Sequence, residues 1–279
     1  MSTNEASDRD ANTAPARTKT ASPRRLEPGI PIAAGGSVLR PLKAAEVVAR
    51  EVVRTIRSEG LMPGDGLPSE AVMVKQSGVS RESLREGLRL LEVQGMISIR
   101  RGPGGGPVVG TVDSANLGRM QALFFNLAGA SYDELFSAWV FAETTLAGMA
   151  AANADVEARQ AAMAPYLSGD VEEHEHMDLE VFLEGHEGFH GAVAALAGNR
   201  VFHLTFRAYG QLVAHHLATV GDVRGIHEAL LDDHLKLAQA IFDGDVESAT
   251  TLMDAHLSDV LAINKAALGT LLEGSVEWL

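Results

Sequence analysis

The stretch SEAVMVKQSGVSRESLREGLRLLEVQGMISIRRGPGGG, residues 69–106, decides how the first half of this chain folds. Ser69 opens a short segment that ends at Gly78, so a helix is expected there with Ser69 as its cap. Ser80 opens another, with Leu84, Leu88 and Leu91 on one face and Arg81, Arg85 and Arg89 on another. Gly95 ends it. MISIRRGPGGGPVV, residues 96–109, then reads as two short strands around a Gly-rich tip. Two helices joined by a short turn and followed by a β-ribbon make a helix-turn-helix with a wing. The tip is no phosphate loop: neither Lys-Ser/Thr nor a helix follows it.

Upstream, PLKAAEVVAREVVRTIRSEG, residues 41–60, places Ala45, Val48, Ala49, Val52, Val53 and Ile56 at helical spacing, with Gly60 as a stop. MPGDGLPS after it is a turn. Residues 40–110 thus read as three helices and a ribbon. That order suits DNA, because a helix fits the major groove and its first residues meet base edges. Ser80, Arg81, Ser83 and Arg85 occupy that first turn and a half. Arg forks onto guanine or phosphate, and a capping Ser also donates to phosphate. Arg100 and Arg101 precede Gly102 in the wing, where glycine lets the backbone approach the minor groove. Residues 1–39, rich in Ala, Ser, Thr, Pro and Gly, are read as a disordered arm.

Charge divides the chain. Residues 1–39 hold five basic and four acidic residues, residues 40–110 eleven and eight, and residues 111–279 seven and twenty-five, for a net −14 overall. A mildly basic module joined to a strongly acidic one suggests that only the first meets a polyanion. The chain has no cysteine, which excludes disulfides, Cys-ligated zinc, iron–sulfur clusters and a thiol nucleophile. It contains no run of about 18 apolar residues to cross a membrane. The N-terminal twenty residues lack the apolar stretch of a secretory signal, so a cytoplasmic protein is expected.

From Thr111 on, helical periodicity dominates, and helices are expected near 114–129, 131–153, 155–168, 172–197, 200–219, 223–243 and 245–268. The fold class is therefore mainly α: a winged helix-turn-helix at 40–110 and an all-α bundle at 111–279. GHEGFH sets His186 and His190 on one helix face. His234 and His256 are 22 residues apart, which in an antiparallel helix pair puts them opposite each other. Three helices can thus point four imidazoles into one cavity, a set that suits Zn, Ni, Cu, Fe or Co. A lone histidine in a bundle is more often a surface or satisfied core residue than a ligand. His174, His176, His203, His215, His216 and His227 are read that way. His215 and His216 are adjacent, so one of the two can line a cavity.

The run from PGDGLPSE through GVSRESLREGLRLLEVQG to the wing resembles the winged-helix domain of the GntR family of bacterial transcription factors. That family's run is close to PG-x-x-LPSE, then GVSR-x-x-VREAL-x-x-L, then a Gly-bearing wing. The resemblance implies DNA contacts from Arg81, Arg85 and the wing at Arg101 and Gly102. Ser69, Ser80, Glu82 and Ser83 complete the candidate set. Two positions depart: Ala71 stands where relatives often carry Arg, and Glu82 where they often carry Thr. Glu82 can accept from cytosine N4 or repel phosphate.

The acidic half resembles the ligand-binding domain of the FadR-type branch, known as FCD. Its metal-binding members show D-x-x-F-H, then H-x-x-x-x-x-A-I-x-x-G-D, then His before Leu. This chain has HEGFH at 186–190, HLKLAQAIFDGD from His234, and His256-Leu257. The resemblance implies ligands His190, His234 and His256, with His186 at the family's Asp position, and a divalent metal such as Zn or Ni. Relatives also carry R-x-x-x-E early in this domain, and that Arg often binds an effector carboxylate; here Trp139 and Glu143 stand at its ends. Trp139, Glu143 and His215 are the candidate effector-pocket residues, with Trp139 equally readable as core. The implied protein is a homodimeric regulator, in this family most often a repressor, with a DNA operator and a small-molecule effector as partners.

Two other classes of protein share parts of this pattern. HEGFH formally matches the H-E-x-x-H pattern of zinc peptidases, but the surrounding chain matches a regulator far better. No other hydrolase motif is present, so no enzyme activity is expected. A winged helix used for protein contacts would predict no salt-dependent DNA affinity.

Overall fold

In a computed structural model of the chain, residues 41–102, 105–167, 179–220 and 223–278 are described. Within the helices, the side chains of residues 179–187, 217–220, 223–231, 263–268 and 270–271 fall outside the description. The arm expected over 1–39 and the start of the helix expected at 172 lie outside the described residues.

The first unit is built from α1 (Ala44–Ser58), α2 (Glu70–Ser77), α3 (Arg81–Val93) and an antiparallel pair, β1 (Ile97–Arg100) and β2 (Gly106–Val109). Ser80 caps α3 by accepting from the Ser83 amide at 3.1 Å. Gly78, at φ 67°, makes the left-handed turn between α2 and α3 that L side chains resist. Leu84, Leu88 and Leu91 close on Val48 and Val52 of α1. Gly87 lets α1 and α3 touch: a Cβ there would lie 2.6 Å from Val48 Cγ1. Val53, expected on the buried face of α1, is exposed, because α3 covers only the rows of Ala45, Val48 and Val52. Ser69 sits at the cap position of α2, but its side chain makes no capping hydrogen bond. The wing carries an edge that sequence reading missed. Leu67 donates its amide to Pro107 O at 2.8 Å, and Gly64 to Val109 O at 2.9 Å, so the Pro/Gly turn lies along β2.

The second unit comprises α4 (Ser114–Ala128), α5 (Tyr132–Ala151), α6 (Val156–Met163), α7 (Leu179–Leu196), α8 (Arg200–Val220), α9 (Val223–Asp243) and α10 (Val246–Leu268). Asp113, Ser131, Asp155 and Asp245 start α4, α5, α6 and α10 by accepting from backbone amides. α6 ends at Met163, short of the expected 168, because Pro165 supplies no amide and the chain tightens into a 3₁₀ turn over Ala164–Tyr166. α5 is the axis of the bundle, packing on α7, α8, α9 and α10. Its buried side includes Leu135, Phe136, Trp139, Ala142, Glu143, Leu146 and Ala150. The C-terminal tail returns to the α4–α5 turn, where Val276 donates to Ala130 O at 2.8 Å and is itself buried. No helix among the described residues is long and apolar enough to cross a membrane.

Candidate functional site

Two sets of polar side chains stand out, one exposed and one buried. On α3, Arg81, Glu82 and Arg85 are exposed, and Ser80 and Ser83 share a hydroxyl contact of 3.0 Å at the helix start. Arg85 Nε donates to Glu70 Oε2 at 3.0 Å, which ties α3 to the first residue of α2. Ser69 is exposed beside it. Arg100, Arg101 and Gly102 are exposed at the end of β1, and Gly102 takes φ 100° to start the tip. A helix N-terminus with exposed arginines and a basic wing are thus on one unit, the arrangement that grips phosphates and reads base edges.

The buried set lies in the bundle. His190 of α7, His234 of α9 and His256 of α10 each offer a ring nitrogen, and these atoms all lie within 4.8 Å of one another. His234 Nε2 and His256 Nε2 are 3.2 Å apart. Two imidazole nitrogens bound to one metal at about 2.0–2.1 Å lie roughly 3.0–3.4 Å apart, so this spacing fits shared coordination. His190 and His256 are 2% and 1% exposed. The His234 ring stacks on Phe189 at 4.5 Å, and Phe189 is itself buried.

The tautomers favour ligation. His190 Nδ1 meets Glu143 Oε2 at 3.0 Å, so Nδ1 carries the proton and Nε2 keeps its lone pair. His256 Nδ1 lies 3.7 Å from Asp233 Oδ2, a charge contact rather than a hydrogen bond, and its Nε2 turns to His234. A carboxylate behind a histidine whose other nitrogen faces a common point is the usual support of a metal-binding imidazole. Burial drives the pKa of His190 well below 6.5, with further lowering from His256 and Arg207. Burial also lowers His256, against the opposing pull of Asp233. Both rings are therefore neutral near pH 7, the form that ligates. The residues fit a divalent cation of the borderline class that imidazole takes.

Glu143 is fully buried, and its second oxygen accepts from Arg207 NH1 of α8 at 3.3 Å. Arg207 is 5% exposed. Gly210, one turn later, leaves the space where these groups meet: a Cβ there would lie 3.1 Å from Arg207 NH1, 3.3 Å from Glu143 Oε1 and 3.4 Å from Trp139 Nε1. Position 139 carries no cation, yet a guanidinium reaches the same place from another helix. Sequence reading missed Arg207; its one signal is that it is among only seven basic residues after 111, set within the apolar run VFHLTFRAYGQLV.

The other expected site residues fall as follows. Trp139 is 5% exposed and belongs to the hydrophobic core. His215 is exposed, and its neighbour His216 turns inward to stack on Tyr132 at 3.7 Å. The side chain of His186 lies outside the described residues, although α7 passes through that position.

A winged helix with exposed arginines, followed by a helical bundle with a buried polar centre, defines a DNA-binding regulator with a ligand-binding domain. The profile described as "Bacterial regulatory proteins, gntR family" matches residues 44–105, and the FCD domain profile matches residues 134–259. The "Putative L-lactate dehydrogenase operon regulatory protein" of Escherichia coli K12 is 30% identical over 80% of this chain and 87% of its own length. The "HTH-type transcriptional repressor NanR" of Citrobacter rodentium is 26% identical, also over 80% and 87%. A solved structure of Streptococcus agalactiae GntR has a TM-score of 0.56 at 20% identity, over 77% of this chain and 98% of that one, a likeness of fold. The chain belongs to the GntR family of transcription regulators, in the branch with a C-terminal FCD domain. That is a family of regulators, not of enzymes.

Proposed function

We propose that this protein is a homodimeric, cytoplasmic repressor. Its operator affinity is set by a small oxygen-donor anion bound at a divalent metal, zinc or nickel, on His190, His234 and His256. Residues 40–110 bind DNA, and 111–279 bind the effector and the second subunit. The observation that carries this reading is the histidine triad, with His190 and His256 buried and His234 partly so, its nitrogens within 4.8 Å and the His190 tautomer fixed by Glu143. When bound, the metal supplies a Lewis-acid point of attachment for an effector oxygen. Glu143 acts by orienting His190, Arg207 by holding Glu143, and Trp139 by walling the site. The name of the lactate dehydrogenase operon relative favours a small hydroxycarboxylate as the first class to test.

On the DNA side, Arg81 and Arg85 reach base edges or phosphates. Arg101 and Gly102 follow the minor groove, and Ser69, Ser80 and Ser83 contact phosphates. Glu82 selects against or for particular bases beside them. Two such heads would address the half-sites of a near-palindromic operator. The effector shifts operator affinity only insofar as it binds one placement of the heads better than the other.

The test is an operator titration by fluorescence anisotropy, with metal-loaded protein and a panel of small hydroxycarboxylates. Release of the operator is expected with loaded wild type, and not with chelated protein or His234→Ala. An effector that works equally well on chelated protein would overturn the metal-dependent reading. Release by metal alone would make the protein a metal sensor instead.

A further inference from the structure

We propose that Arg159, together with Asn153, is a positioning residue of the metal centre: it locks the C-terminal ends of α5, α7 and α9 together and so holds His190 and His234 in register. This role rests on the metal-bound reading proposed above. Among the described residues of the bundle, Arg207 and Arg159 are the two buried arginines. Arg207 meets a carboxylate, that of Glu143, whereas Arg159 meets helix ends. Its Nη1 donates to Asn153 O, just past α5, at 2.6 Å, and its Nε donates to Phe242 O, in the last turn of α9, at 3.3 Å. Asn153 Nδ2 completes the set by donating at 2.8 Å to the carbonyl of Leu196, the last residue of α7. Gly244, at φ 80°, leaves room for the guanidinium: a Cβ there would lie 2.9 Å from Arg159 Nη2.

The physics of helix ends explains a buried guanidinium at this place. The last carbonyls of a helix have no amide to accept from, and they carry the negative end of its dipole. Three such ends meet here. A planar cation with forked donors reaches two of them at once, where an aliphatic side chain would leave them unsatisfied in the interior. Arg159 is itself fixed: Asp155 starts α6 by accepting from the Ala158 amide, and Asn153 Oδ1 accepts from the Asp155 amide at 2.9 Å. The clip bears on the metal centre because the helices it joins carry the ligands. His190 lies six residues before Leu196 on α7 and His234 eight before Phe242 on α9, about 9 and 12 Å along the helix axes. Glu143, which orients His190, is on α5. α6 packs on both α7 and α9, so the clip stands where an axial slip of either helix is stopped. A slip of about 1 Å is half of a metal–nitrogen bond of about 2.0–2.1 Å, well outside the tolerance of about 0.2 Å that a site allows.

The full chain, stripped of metal and titrated with zinc and with cobalt(II), is compared with Arg159→Met, Arg159→Lys, Asn153→Asp and Leu135→Ala. Cobalt(II) suits the same imidazole ligands, and its visible absorption reports coordination geometry. Arg159→Met, close in length but without donors, is expected to raise the zinc dissociation constant at least about tenfold, the lower end of what a lost outer support costs. It should also shift the cobalt bands, while circular dichroism still shows a folded helical protein. Arg159→Lys restores the charge and part of the donor set, and should recover part of the affinity and of the spectrum. Asn153→Asp keeps the bond to the Asp155 amide but turns an oxygen toward Leu196 O. It should weaken metal binding by a smaller factor, and it carries the test if Arg159→Met does not fold. Leu135→Ala opens a cavity at the end of α5 away from Asn153, and is expected to lower the melting temperature with metal affinity and cobalt bands unchanged. Wild-type affinity and bands in Arg159→Met, or in Asn153→Asp if the former is unfolded, would overturn the inference and leave the metal-bound reading standing. A Leu135→Ala protein that loses as much affinity as Arg159→Met would overturn it too, since general loosening would account for both. A wild type that binds neither ion would overturn the metal-bound reading itself.

Discussion

The two halves of the chain hold their charges in opposite ways. On α3, Arg85 is largely exposed and pairs with a half-exposed Glu70. In the bundle, Glu143, Arg207 and His190 are no more than 5% exposed, and Glu143 meets both of the others. An exposed pair contributes little and is easily exchanged, so Arg85 can trade Glu70 for a phosphate. A buried carboxylate cannot change partners without leaving a charge stranded, so Glu143 fixes its histidine in place. The first arrangement suits a partner that comes and goes. The second suits a site whose geometry must persist.

The comparison breaks most sharply at Glu143. Glu143→Ala removes the buried carboxylate that meets both Arg207 and His190 and is expected to cost about 3–5 kcal/mol of stability, measured by urea unfolding. A loss within the noise would mean that the buried pair does not hold the bundle. Arg81→Ala, on the exposed half, is expected to weaken operator binding by about 1–3 kcal/mol and leave the unfolding midpoint where it was. Unaltered affinity would mean that the first turn of α3 is not in the groove.

Acid should act on the buried half next. Burial lowers the pKa of His190, His203, His216 and His256 from 6.5. The unfolded chain then binds more protons than the folded one once pH falls below about 6.5. Stability is thus full above that pH and drains as pH falls toward the lowered folded values, by about 1 kcal/mol per pH unit for His190 alone. Melting temperatures of metal-free protein between pH 8 and 5.5 read this directly, and a flat profile would contradict the neutral, buried assignment. The smallest effect is expected at Glu70→Gln. Removing an exposed partner should change stability by less than about 1 kcal/mol, while a freed Arg85 modestly tightens DNA binding.

The same contrast governs what was legible beforehand. The DNA-binding unit is written in local signals: Gly78 for the turn, Ser80 for the cap, and Leu84, Leu88 and Leu91 for the core face. The triad was legible because a 22-residue spacing between His234 and His256 survives translation into the antiparallel pair α9 and α10. Arg207 was not, since its contact with Glu143 spans 64 residues and depends on how α8 rotates against α5. The choice between His215 and His216 turned on that same rotation, which places Tyr132 against His216. The edge that residues 64–67 add to the wing and the return of Val276 to the α4–α5 turn are backbone pairings with no side-chain signature.

The central claim is that α7, α9 and α10 bring three imidazoles to one metal. Metal content per chain tests it most directly, on protein purified without a His tag, after incubation with zinc or nickel and removal of the excess, beside His190→Ala and His234→Ala. Close to one ion per chain in wild type, lost in both variants while their helical content persists, is the predicted result. Protein that retains no zinc or nickel, or that retains the same amount in both variants, would contradict the account.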